Sequence, residues 1–261
     1  LMAFTVGAVI IGGIKSIARA ASKIVPFMGI LYFISAFVIL IFSAEYLVDS
    51  VILIVSEAFT SQSATGGMVG AMVIGFQRAA FSNEAGIGSA SIAHSAVQTK
   101  EPVSEGLVSL LEPFIDTMVI CTLTSLVIVS TAYPAGLMGS GLEGIELTSA
   151  AFAHHISWAP YPLAIAGLLF AFSTSLAWSY YGLQGWLYLV GDSSKAQLGF
   201  KLVFCSFIIL GSTIQLTAVL DFSDAMVFLI SVPNIIGLYF FAPSIKRELN
   251  LYLNKIQRGK T

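Results

Sequence analysis

The 261 residues include 57% hydrophobic and only 10% charged side chains, with a mean hydropathy of +0.90. Soluble domains carry about 25% charged residues, so this composition identifies an integral membrane protein. The formal net charge of −2 says nothing about nucleic acid, but the lack of a basic stripe interleaved with aromatics outside the C-terminal tail argues against nucleic-acid binding.

The apolar runs are about 19 residues or longer, which predicts an all-α polytopic membrane protein and argues against a β-barrel. The chain opens on Leu1-Met2-Ala3-Phe4 with no basic n-region or cleavage site, and so reads as part of something longer and not as a signal peptide. Residues 1–14 read as the end of a membrane helix, followed by a polar stretch with Lys15, Arg19 and Lys23. Pro26 opens an apolar run to about Ser43, long enough at roughly 27 Å to span a bilayer. Residues 46–59, flanked by Glu45, Asp49 and Glu57, are too short to cross and are expected to lie at the surface.

A polar hinge at 60–65 leads into a long apolar segment, 66–97. It carries Arg78, Ser82, Asn83, Glu84, Gly86 and Gly88 in its middle. An uninterrupted membrane helix has no use for that cluster. Asn, Ser and Gly loosen the i→i−4 ladder, and a charge at mid-bilayer costs at least about 2.5 kcal/mol. A break there must be buried or line a cavity, and a helix broken at mid-membrane is how secondary carriers bind small solutes. Gly66, Gly70, Ala71, Gly75, Ser82, Gly86 and Ala90 supply small residues at spacings that let a neighbouring helix approach closely.

Lys100-Glu101-Pro102 ends that element, and Ser104 with Glu105 is a candidate cap for the next. Residues 104–132 form a span with Glu112 and Asp116 one turn apart on one face. Residues 134–157 read as a Gly-rich loop holding Glu143, Glu146 and a solvated His154-His155 pair. Further spans are expected at 161–191, 200–219 and 225–241, with Asp221 and Asp224 in a tight turn between the last two. Residues 243–261 form a basic amphipathic tail, the rest being a single membrane domain. Cys121 and Cys205 lie in apolar runs without metal or disulfide spacing and are expected to pack. No GxSxG, HExxH, GxxxxGK[ST] or Asn-x-Ser/Thr motif occurs.

Placing Lys15–Lys23 in the cytoplasm and alternating each span puts all eleven Lys and Arg residues other than Arg78 on one side. That topology requires 66–97 to cross once, with the break at mid-bilayer.

At this point a resemblance becomes specific. The run from Arg78 to Ser89, with Phe81-Ser82-Asn83-Glu84-Ala85-Gly86 and Gly88-Ser89, resembles the signature of the alanine/glycine:cation symporter family. Gly12-Gly13-Ile14-Lys15, Val25-Pro26-Phe27-Met28, Phe114-Ile115-Asp116-Thr117, Phe170-Ala171-Phe172-Ser173-Thr174, Ser179-Tyr180-Tyr181-Gly182 and Pro233-Asn234 resemble it in the same order. Leu183, Ala79 and Ala80 depart from the usual pattern. The family also has an N-terminal half with its own broken helix, to which nothing here corresponds.

The resemblance implies a LeuT-like inverted-repeat transporter, here its second half, from the end of helix 4 through helix 10, with 66–97 as the sixth helix. It implies a multi-pass, monomeric cell-membrane protein that imports small neutral amino acids, chiefly alanine and glycine, with Na⁺ and no organic cofactor. Such a fragment is expected to be inactive alone. The unwound stump at Ala79, Ala80 and Phe81 is expected to offer carbonyls to the substrate ammonium. Phe81 and Trp178 would limit side-chain size, and Asn83 would bridge the hinge. The resemblance places Na⁺ on the Ala171 carbonyl and the hydroxyls of Thr174 and Ser173 or Ser175; the alternative is that these hydroxyls bond back to their own helix. Arg78, Glu84, Glu112 and Asp116 are expected to form a buried gating or structural charge network, and His94 to pack. Two other classes are weighed: a channel using the hinge as a filter, and a membrane hydrolase built on Ser82, His94 and Asp116.

Overall fold

The computed structural model describes residues 1–59, 67–84, 86–142 and 144–258. The polar hinge at 60–65, together with Ala85, Glu143 and Lys260, lies outside them. Among the described residues the chain is helical throughout, with no strand. Helices α1 (Met2–Ile11) and α2 (Gly13–Phe42) lead to a 3-10 turn (Ala44–Tyr46) and α3 (Leu47–Ala58). Then come α4 (Gly67–Asn83) and the short α5 (Ser89–His94). A composite helix joins α6 (Pro102–Ser109), α7 (Leu111–Pro113), a π-helical stretch (Phe114–Cys121), α8 (Thr122–Val127) and a second π-helical stretch (Ile128–Ala132). The chain continues through α9 (Ile145–His155), α10 (Pro160–Val190), α11 (Ser194–Gly211) and α12 (Leu216–Arg258).

Among the described residues, five helices are long and apolar enough to cross a membrane: Gly13–Phe42, Pro102–Ala132, Pro160–Val190, Ser194–Gly211 and Leu216–Arg258. Their outer faces leave large apolar side chains uncovered, among them Phe33, Phe37, Phe207 and Phe240. Water would penalise such a perimeter, whereas lipid accepts it. The protein is an all-helical, multi-pass membrane protein.

Several element boundaries differ from the sequence expectation. The polar stretch holding Lys15, Arg19 and Lys23 is helical, and α2 runs through Pro26 without ending. Proline is tolerated inside membrane helices because neighbours re-satisfy the freed carbonyl. Ser104 is not a cap, because its hydroxyl donates back to the Glu101 carbonyl (2.7 Å) and Pro102 starts the helix. Residues 145–155 form helix α9 instead of loop, since Thr148, Ala151 and Phe152 make a buried stripe at helical spacing. Helix α11 ends at Gly211, not 219, and Asp221 and Asp224 lie within α12, not in a turn.

The chain divides into two compact units. The first comprises residues 1–73 and 119–213. Its larger core joins Tyr32, Ala36, Ile39 and Leu40 of α2 to Val127 of α8, Phe152 of α9 and Leu163 of α10. The Tyr32 hydroxyl meets that of Thr124, and Ser43 meets Ser130 (3.0 Å), so these four hydroxyls are paired between the helices. Its smaller core gathers Val6, Ile10, Ile17 and Leu176, with Cys205 packed against it. A Cβ on Gly7 would lie 3.3 Å from the Cys205 sulfur, so α1 and α11 approach closely there. The second unit comprises residues 74–118 and 214–261, and contains the break that the sequence singles out.

Candidate functional site

Helix α4 does not stop where the sequence reading puts its stump. It runs through Ala79, Ala80 and Phe81 to Asn83, and the chain is open at Glu84 and at 86–88. Among the described residues there, Glu84 (55°), Gly86 (87°) and Gly88 (99°) have positive φ. Such angles are easy for Gly and strained for Glu, so the ladder cannot continue. The carbonyls left without an intrahelical partner are therefore those of residues 80–83, one to two residues nearer the break. Helix α5 resumes at Ser89, whose buried hydroxyl donates to the Glu84 carboxylate (2.5 Å) across the gap. Glu84 thus splints its own break, which accounts for a charged residue in a strained conformation.

Two neighbouring elements of the same unit hold the opening. On one side, the π-helical stretch Phe114–Cys121 brings Asp116 and Thr117 to the last turn of α4. Ser82 donates to Asp116 and lies 3.1 Å from the Thr117 hydroxyl, while the Asn83 amide donates to Thr117 (2.8 Å). A carboxylate and two hydroxyls thus converge at a helix C-terminus, whose dipole already favours positive charge. This is an oxygen-rich setting suited to a hard cation. On the other side, α12 reaches the helix ahead of the break and the break itself. Arg78 donates to Asp224 at 2.5 Å, Gln77 donates to the same carboxylate oxygen, and the Arg78 guanidinium lies 5.4 Å from the centre of the Phe81 ring. Within the break, the Asn234 amide donates to the Gly86 carbonyl (2.9 Å).

The expected network of Arg78, Glu84, Glu112 and Asp116 is accordingly found with other partners. Arg78 pairs with Asp224, Glu84 with Ser89, Asp116 with Ser82, and Glu112 with His94. The His94 ring is held between Glu105 (2.7 Å) and Glu112 (3.3 Å). Sequence reasoning passed over Asp224 and Asn234. The available signal was that an acid and an amide inside an apolar run of a membrane protein require partners.

In the first unit, Ser175 donates to the Ala171 carbonyl (2.8 Å) and Ser173 to the Phe170 carbonyl (3.0 Å). Those two hydroxyls take the back-bonded alternative. Thr174 is exposed and its hydroxyl has no hydrogen bond among the described residues, which leaves it free for a ligand. Trp178 lies on the same helix with its ring against Tyr181. Leu183 lines a cavity of about 220 Å³ with Tyr180, Asp192 and Lys201. His154 and His155 occupy the last turn of α9, ring to ring at 5.2 Å. Burial, with a lesser contribution from His154, pushes the His155 imidazole below its ordinary value. Among the described residues no cluster of three or more His, Cys, Asp or Glu side chains is placed to hold a metal.

A family model for sodium:alanine symporters matches residues 1–261, the whole chain. The chain belongs to the sodium:alanine symporter family. Among its relatives is the sodium/alanine symporter AgcS of Methanococcus maripaludis, 35% identical over 261 residues, covering 100% of this chain and 57% of that protein. An uncharacterized transporter of Haemophilus influenzae is 37% identical over 264 residues, covering 98% and 57% respectively. The probable sodium/glutamine symporter GlnT of Bacillus subtilis is 35% identical over 257 residues, covering 97% and 53%. The chain spans about half the length of these relatives. The sodium:alanine symporter family is a family of transporters and not of enzymes, which removes the hydrolase reading of Ser82, His94 and Asp116. Membership in a symporter family likewise speaks against the channel.

Proposed function

We propose that the complete protein carrying this sequence imports small neutral amino acids, alanine and glycine foremost, together with Na⁺ by alternating access. The observation that carries this reading is the opening at Glu84 and 86–88, where a helix ends at Asn83 and resumes at Ser89 inside an otherwise apolar segment. A zwitterion moving through lipid needs acceptors for its ammonium and donors for its carboxylate, and an opened helix exposes backbone groups of both kinds. The carbonyls of residues 80–83 are the acceptors we assign to the ammonium. Phe81, held by Arg78, would limit the size of the side chain that fits beside them. The names of the AgcS and GlnT relatives support an amino acid as substrate and Na⁺ as coupling ion.

We assign two positions to cation coupling. Thr174, with a free hydroxyl next to Ser173 and one turn from Ala171, is the first. The carboxylate–hydroxyl cluster of Asp116, Ser82 and Thr117 is the second. In this reading the fold is LeuT-like, with α4 and α5 as its sixth helix. The basic clusters at 15–23, 195–201 and 246–258 then face the cytoplasm together with Lys100, and the protein works as a monomer.

The test is Na⁺-gradient-driven uptake of labelled alanine into vesicles containing the complete protein. Saturable uptake that collapses when Na⁺ is replaced by choline is expected. Non-saturating flux would overturn the carrier reading. Within it, Thr174→Ala is expected to raise the Na⁺ concentration for half-maximal uptake, and unchanged Na⁺ dependence would remove Thr174 from the ion site.

A further inference from the structure

Asp224 and Val227, the two buried residues of α12, and the half-buried Ser231 and Asn234 fall at i, i+3, i+7 and i+10, along one face of the helix. The two ends of that stripe carry the side chains that reach the broken helix. Asp224 holds Gln77 and Arg78, upstream of the opening, while Asn234 holds the Gly86 carbonyl within it. Ten residues of α-helix separate them, about 15 Å. Helix α12 therefore spans the opening as a splint fixed at both ends.

Asn234 does more than donate one hydrogen bond. A Cβ on Gly88 would lie 3.0 Å from its Oδ1 and 3.1 Å from its Cγ, so the side chain is seated directly on the second glycine of the break. Gly86 and Gly88 both have positive φ, a geometry that a free chain would leave readily. The amide is fixed on the Gly86 carbonyl, and its bulk closes the space above Gly88. Pro233, immediately before it, has no N–H and releases a carbonyl of α12 from the ladder at the same level. Asn83, the residue that sequence analysis assigned to bridging the hinge, directs its amide at Thr117 (2.8 Å).

We infer that Asn234 is a positioning residue for transport: it holds the opened backbone at Gly86 and Gly88 in the conformation that receives the substrate. It touches neither ion nor amino acid in this scheme and acts through Gly86 and Gly88. The inference rests on the transport reading above, and its test separates the two. Asn234→Ala removes the side chain, and Asn234→Asp keeps its shape but not its N–H donor.

Two measurements are made on the complete protein in liposomes: Na⁺-driven alanine uptake, and hydrogen–deuterium exchange of the peptide covering 84–94. Both variants are expected to raise the half-saturating alanine concentration about tenfold, the equivalent of one net hydrogen bond, and to speed exchange at 84–90 by a similar factor. Maximal rate and protein yield are expected to stay within about twofold. Unchanged exchange at 84–90 in both variants overturns the inference even if the wild type transports well. So does a wild-type half-saturating concentration in Asn234→Asp, or a fall in yield and maximal rate alone, which marks a purely structural residue. A wild type without saturable Na⁺-driven uptake overturns the transport reading instead, and the exchange data still decide whether Asn234 holds the break.

Discussion

Arg78 and Asp224 form an ion pair whose two members stand to lose very different amounts. The Asp224 side chain is 12% exposed and the Arg78 side chain 48%. One carboxylate oxygen of Asp224 receives both Arg78 and Gln77, and the other has no partner among the described residues. Replacing Arg78 by Met leaves a buried carboxylate with only Gln77 as its donor. Breaking a fully buried pair from one side costs about 3–5 kcal/mol, and with one partner half exposed the figure falls to about 2–3 kcal/mol. Loss of the guanidinium–Phe81 contact adds about 0.5 kcal/mol. Asp224→Asn strands only an arginine that solvent or headgroups can reach, and should cost about 1 kcal/mol.

One kcal/mol is worth about 2–4 °C in a protein of this size, so Arg78→Met should lower the unfolding midpoint by about 4–12 °C and Asp224→Asn by about 2–4 °C. The double variant no longer contains a stranded carboxylate and should melt near the Asp224→Asn value, well above the sum of the two losses. Thermal unfolding of the detergent-solubilised protein, followed by tryptophan fluorescence, reads all three. If Arg78→Met is no worse than Asp224→Asn, or if the double variant shows simple additivity, burial does not set the energetics of this pair and the reasoning fails.

Phe81→Ala should shift the preference of uptake toward amino acids larger than alanine, and a flat selectivity profile in competition assays would make Phe81 a packing residue. Gly88→Ala and Gly86→Ala both force a Cβ onto positive φ, at about 1–2 kcal/mol each, but only at Gly88 does that Cβ meet a neighbour, the Asn234 side chain. Gly88→Ala should therefore be the more damaging to stability, and equal damage would mean that the contact carries nothing. His155 should make the fold acid-sensitive. Its imidazole is held below its ordinary value by burial, so the folded state favours the neutral ring. That contribution is present above the ordinary value near about 6.5 and is lost as pH falls through the lowered folded value. His155→Phe should flatten the decline in melting temperature between about pH 7 and pH 5, and an unchanged slope would exclude His155 as its source.

The helical class, the membrane setting and the presence of a break near Gly86 and Gly88 were legible because each is a local property. A run of apolar residues long enough to span lipid declares itself by length. Glycines and polar residues inside such a run declare a defect, since nothing in lipid would satisfy them. Element limits were less legible where a single polar residue was allowed to decide them. Asp221 and Asp224 looked like a turn, although α12 passes through both, because Gln77 and Arg78 meet the charge of Asp224. His154 and His155 looked like loop, although Phe152 and Ala151 beside them are buried in the core of the first unit.

Partners were legible least of all. Arg78 and Asp224 are 146 positions apart in the chain, and Gly86 and Asn234 are 148 apart. No periodicity or propensity relates residues at that distance. What the sequence determined by itself was that the backbone opens, because steric freedom at glycine and the spacing of polar groups in lipid act within a few residues. Which side chains hold it open was decided by the tertiary structure alone. Hydrogen bonds and ion pairs form wherever packing brings donor and acceptor within about 3 Å, and α12 is packed where Asp224 reaches the helix ahead of the opening and Asn234 reaches the opening itself.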